Sequence, residues 1–222
     1  MDGKLSIAQA EKLTGITRKQ VERMKNKLKD PEKYRRELLG AEYLAAQLAE
    51  PDHFRTNFSG NNEWHTPVEY IEMARKVLGQ IDLDPASSVK AQKTVQAGEF
   101  YKFTSEAING LTLPWHGRVW LNPPYAPQAI AAFVARMCEE YESKHVSAAI
   151  MLTHNYTDSA WFQKAAKIAS ALCFPETRIR FQDPDGVPCS PTQGQAFFYF
   201  GTNPVKFIAE FKSIGLIVRP VK

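Results

Sequence analysis

Apolar positions along the chain follow two periods, and the change between them divides it. Up to about residue 50 the spacing is helical. Ser6-Ile7-Ala8-Gln9 and Thr17-Arg18-Lys19-Gln20 each read as a capping box, a hydroxyl followed three residues later by an amide. The second box opens a helix carrying Val21, Met24 and Leu28. Asp30-Pro31 starts a third, with Tyr34, Leu38, Leu39, Tyr43, Leu44 and Leu48 as its apolar set. Two short helices around Gly15 form a helix-turn-helix pattern. Residues 51–63 have loop composition and separate this unit from residues 64–222.

Beyond Trp64 short apolar runs alternate with helical stretches. Thr66-Pro67-Val68-Glu69 predicts a helix ending at Gly79, with Thr66 as N-cap and Glu69 closing a capping box. Strands are predicted at 80–84, 118–121, 146–152, 171–174 and 214–218, and helices from Pro127, over 158–169 and over 207–211. Residues 178–181 and 195–200 read as a late antiparallel pair. Near-continuous apolar strands between helices predict a mostly parallel α/β sheet, Rossmann-like, covered on both faces.

Composition adds exclusions. With 222 residues, 44% hydrophobic and 23% charged, the chain is globular rather than disordered. No apolar run reaches the ~18 residues of a membrane span, and the first ten residues lack the core of a secretory leader. Cys138, Cys173 and Cys189 show no metal-ligand spacing, so a reducing, cytoplasmic home without a structural metal is expected. Net charge is only +4, but ten Lys/Arg fall between Lys12 and Arg36 against three acids. Such a concentration is the footprint of a polyanion partner. Arg18, Lys19, Gln20 and Arg23, at the start of the second helix of the pair, are the candidate duplex-DNA contacts.

The sharpest chemistry lies at Asn122-Pro123-Pro124-Tyr125, which follows the apolar run Val119-Trp120-Leu121. In open α/β sheets, sites lie at the carboxyl ends of strands, where this turn falls. An exocyclic amine on a base is a poor nucleophile because its lone pair is delocalised into the ring. Two acceptors, the Asn122 side-chain oxygen and the Pro123 carbonyl, would draw it toward tetrahedral geometry. The prolines fix the backbone and remove competing donors. Tyr125 could stack on a base taken out of the duplex.

These four residues resemble the catalytic motif of amino-methyltransferases that use S-adenosylmethionine. Together with Glu63 to Pro67, Ile81 to Ser87, Gly98 to Tyr101, Gly110-Leu111, Trp115, Asp158, Trp161-Phe162, Arg178 to Phe181 and Phe198 to Gly201, they resemble the phage-encoded, Dam-type DNA N6-adenine methyltransferases over residues 64–201. That resemblance implies methyl transfer to adenine in DNA after base flipping. It places Asp84-Pro85-Ala86 at the cofactor's amino group and Thr66-Pro67 over its carboxylate, where a helix start is also a natural anion site. Asp82 competes with Asp84, but the Pro following Asp84 matches the family turn. Glu99 is the candidate for the ribose. The chain departs from the pattern at Ala86-Ser87-Ser88, which has no Gly, and at Asn109, where an acid is expected before Gly-Leu. His65, His116 and His154 are scattered, and Cys138 reads as core. Two alternatives stay open: a DNA-binding regulator with a non-catalytic ligand domain, and an amino-methyltransferase acting on RNA or protein glutamine.

Overall fold

The computed structural model of the protein describes residues 65–102, 109–182, 187–188 and 192–221. The helices expected over residues 1–50, the loop 51–63 and the candidate DNA contacts Arg18, Lys19, Gln20 and Arg23 lie outside the described residues.

The described elements run α1 (Val68–Leu78), β1 (Leu83–Ser87), α2 (Gln92–Val95), β2 (Glu99–Lys102), α3 (Asn109–Thr112), β3 (Gly117–Leu121), α4 (Pro127–Glu142), β4 (Val146–His154), α5 (Ala160–Ile168), β5 (Ala171–Pro175), β6 (Gln195–Phe200), α6 (Val205–Phe211) and β7 (Gly215–Val218). The strands form one seven-stranded sheet in the order β2-β1-β3-β4-β6-β5-β7. It is parallel from β2 to β4, and then β6 runs antiparallel to both β4 and β5, and β7 antiparallel to β5.

The sheet is therefore α/β, as expected, but mixed rather than mostly parallel. The late antiparallel pair is also corrected. Residues 195–200 pair with β4 and β5, while 178–181 form no strand. The reason is a side chain: Gln195 Oε1 accepts the Ile179 amide at 2.9 Å, so the segment is pinned without a ladder.

Period-two alternation sorts the core into two layers. Val119, Leu121, Ala149, Met151, Phe198 and Phe200 pack on one face with α4 and α5. Trp120, Ile150, Leu152, Phe197 and Tyr199 pack on the other with α1 and α6. Cys138 and Cys173 are buried here, and burial pushes both thiols up to about 12.

β1 carries the feature that opens the site. It is an interior strand containing Pro85, which has no N–H to give a ladder. Its pairing with β2 shifts register between Asp84 and Ser87, and it pairs with β3 at Leu83↔Val119. β1 and β3 thus part toward their carboxyl ends. Because β2 and β3 lie on opposite sides of β1, this is the sheet's switch point, where ligands bind in such folds.

Gly110 explains part of the Gly-Leu signature. A Cβ there would lie 1.8 Å from the Pro85 carbonyl oxygen and 2.9 Å from the Phe133 ring. The Gly110 carbonyl in turn accepts the Trp115 indole N–H at 2.6 Å. Gly110→Ala is expected to destabilise the fold by about 1–3 kcal/mol, the usual range for overpacking. Chemical denaturation with an unchanged midpoint would refute this role for the glycine.

Candidate active site

A crevice lies at the switch point, lined by the end of β1 (Asp84, Ala86, Ser87), by Thr66 before α1, and by the turn after β3 from Asn122 to Tyr125. The structure thus brings together most of the residues singled out in the sequence. The hydrophobic strand β3 carries the turn to the crevice, and the buried Pro123 and Pro124 hold its backbone.

Asn122 is held at both ends of its carboxamide. Its Nδ2 donates to Thr66 Oγ1 at 3.1 Å, and its Oδ1 accepts from the Tyr125 hydroxyl at 2.7 Å. The first bond fixes which way the amide points, leaving the carbonyl oxygen toward Tyr125. Thr66 therefore does not cap α1. Pro67 occupies the N-cap position, and no side chain bonds the helix's first amides. The hydroxyl expected at the helix start is diverted 56 residues along the chain to orient Asn122.

Tyr125 is packed on two sides. His154 stacks on it at 4.2 Å between centroids, and Phe181 meets it edge-on at 5.7 Å. Burial raises the phenol well above its ordinary 10.0, so it stays protonated and donates. Burial also drives His154 down to about 4, against a smaller opposing contact from the Gly194 backbone, so the imidazole is neutral at pH 7. His154 and His65 are not scattered. His65 lines the crevice, and its backbone exchanges both hydrogen bonds with Gln182, at 2.9 and 3.0 Å. His154 ends an apolar strand at the same edge as Asn122. That shared position is the signal that could have found it.

The two competing acids separate cleanly. Asp82 is gripped by Arg118, with Nε to Oδ2 at 2.8 Å and Nη2 to Oδ1 at 3.0 Å. The guanidinium holds its carboxyl well below the usual range. This pairing needs Gly117, which has φ +67° and room for no side chain beside Asp82. Asp84 is 2% exposed and lines the crevice. Burial pushes its carboxyl up to about 7, despite opposing hydrogen bonds with Ser87, Ala86 and Gln92. Gln92 Nε2 reaches Asp84 Oδ2 at 2.9 Å and Ser87 Oγ at 2.8 Å. Among the described residues, the groups that hydrogen-bond Asp84 are all neutral, so a buried acid faces the crevice without a cation.

Glu99, expected at the ribose, is not brought to the crevice. It begins β2 opposite Leu83, toward the amino ends of the parallel strands, and its carboxylate lies 3.8 Å from His116 Nε2. No strand was expected over residues 99–102, and β2 places Glu99 at the amino-end edge of the sheet, away from the crevice.

The model of the DNA N-6-adenine-methyltransferase (Dam) family matches residues 54–197, more than half of the chain. The chain belongs to the Dam DNA N6-adenine methyltransferase family. The matched span takes in the whole crevice, from His65 through Asp84 to Tyr125, and the Phe181 ring that packs on Tyr125. No curated protein matches the chain. A solved structure described as the delta-N METTL16 MTase domain is similar at 12% identity and a TM-score of 0.32, covering 74% of this chain and 83% of that one. No helix among the described residues is long and apolar enough to cross a membrane.

Proposed function

We propose that this Dam-family chain transfers a methyl group from S-adenosylmethionine to the N6 amine of adenine in duplex DNA, at a base flipped into the crevice. The observation that carries the reading is the Asn122 carboxamide, oriented by Thr66 across the switch-point crevice from the buried, cation-free Asp84.

The residues fit the cofactor. Asp84 offers a buried carboxylate to an α-ammonium group, a charge-assisted pairing that would resolve its isolation. Thr66 and Ala86 line the same space, with Pro67 and Pro85 beside them in the chain, whereas Glu99 stands apart from it. When bound, S-adenosylmethionine supplies an electrophilic methyl group on a sulfonium sulfur. Asn122 Oδ1 and the Pro123 carbonyl accept the two N–H groups of the target amine and draw its lone pair out of conjugation. Both acceptors are preorganised, so they serve the transition state more than the ground state. Pro124 keeps the turn rigid. Tyr125 supplies the aromatic surface for the flipped base. Neither acceptor is a base, so the proton of the methylated amine is released to water.

In this reading residues 64–222 form the methyltransferase domain. Residues 1–50 add duplex affinity through Arg18, Lys19, Gln20 and Arg23, and residues 51–63 link the two. Labelled S-adenosylmethionine and mixed-sequence duplex DNA, followed by digestion to nucleosides, should yield label in N6-methyladenine. Label confined to RNA, to protein or to cytosine would overturn the reading, as would no transfer at all by folded protein.

A further inference from the structure

The segment Arg178–Phe181, which forms no strand, stands beside the crevice with a pattern of its own. Ile179 is 1% exposed and Phe181 7%, while the alternating Arg178 and Arg180 are exposed. The segment is firmly anchored. The Ile179 amide is held by buried Gln195, the Phe181 ring packs on Tyr125, and Gln182 pairs with His65 of the crevice wall. The backbone that carries the two arginines is therefore anchored within a residue or two of groups that line or touch the site, and both side chains are exposed. Residues two apart on an extended chain are ~6.6 Å apart, so the two can reach different groups of one strand.

We propose that Arg178 and Arg180 form a phosphate-binding site that grips the DNA backbone beside the flipped adenine. It rests on the reading of the chain as a DNA adenine methyltransferase and adds the place where the strand is held. Burial of Ile179 and Phe181 sets the direction of the arginines, and Gln195 is the positioning residue that sets the segment. Exposed arginines on an anchored backbone suit phosphate oxygens because their fork of donors matches them. Such arginines position the duplex without reading sequence, so any duplex tests them.

The experiment is a salt titration of binding to a mixed-sequence duplex by the full-length protein and its variants. Each phosphate that a variant no longer neutralises lowers the slope of log K against log salt by about 0.9. Arg180→Gln is expected to reduce the slope by about one, and Arg178→Gln with Arg180→Gln by about two, with weaker binding at every salt concentration. Arg180→Lys should keep the slope, because it keeps the charge. Thermal unfolding and its shift with S-adenosylmethionine should be unchanged in the two single Arg180 variants, and the double variant is compared with Arg180→Gln at the same fraction folded. If the wild type methylates adenine in DNA but the double variant binds with unaltered slope and affinity, the phosphate site is wrong. If the wild type places no methyl group on DNA adenine, the functional reading itself fails.

Discussion

Asn122→Ala is expected to slow methyl transfer by ~10²–10³-fold, the usual cost of removing one preorganised hydrogen-bonding group at a reacting centre. The missing acceptor acts on an amine whose geometry changes on the way to the transition state. The effect should therefore fall on kcat rather than on cofactor binding. Thr66→Val is the companion test. It keeps the Asn122 oxygen but frees the amide to rotate, removing one orienting bond seen at 3.1 Å. A reduction of about fivefold is expected, in line with ~1 kcal/mol for a hydrogen bond. In the Asn122→Ala background the Thr66 change should cost little more, since the two act as one unit. Single-turnover methylation, with cofactor affinity measured by calorimetry, separates these outcomes. An Asn122→Ala enzyme turning over near the wild-type rate would put the active centre elsewhere.

The second large effect belongs to Asp84, and it has opposite signs with and without ligand. Its carboxyl titrates near 7 in the folded chain, against 3.8 ordinarily. A carboxyl raised by folding favours the protonated native state. The free protein should therefore be most stable below pH 4 as far as this group is concerned, and lose stability as pH rises from about 4 to 7. The upper bound is about 4 kcal/mol, from a difference of about three in pKa at ~1.4 kcal/mol each. Binding of a cationic amino group needs the carboxylate, so cofactor affinity should rise from pH 5 to pH 7 and then level. Asp84→Asn should remove both dependences, leaving a protein more stable at pH 8 but poor at holding S-adenosylmethionine. Thermal unfolding and calorimetry across pH 5–8 provide the check. A variant with wild-type affinity at pH 8 would show that the amino group is held by something else.

The Asn122–Tyr125 turn was legible as part of the crevice because it is contiguous: four residues in order at a strand end need no knowledge of the rest of the chain. Asp84 was separable from Asp82 by the proline that follows it, and Pro85 now lies where the β1–β2 ladder shifts register, beside the crevice that Asp84 lines. What the sequence concealed depends on long-range partners. Thr66 looks like a helix cap because nothing nearby competes for its hydroxyl; its actual partner is 56 positions away. His154 reads as one of several isolated histidines until β4 carries it onto the Tyr125 ring. Glu99 was chosen without a strand to place it, and β2 sets it opposite Leu83, at the edge of the sheet away from the crevice. The order of β6, β5 and β7 was likewise hidden, because strand order is set by which faces find partners, not by local period.

The hydrogen bond from Tyr125 to Asn122 has a kinetic meaning in this reading. The oxygen that must take hold of the adenine amine already has an occupant, and that occupant returns whenever the base leaves. Arrival of the base is then a swap at that oxygen, with little net gain in hydrogen bonding. The energy to keep an adenine out of its helix must come from ring stacking and from the grip on the strand. The same swap works in reverse after reaction. A methylated amine has one N–H where adenine has two to share between the Asn122 and Pro123 oxygens, so the product is held by one hydrogen bond fewer than the substrate and leaves more readily.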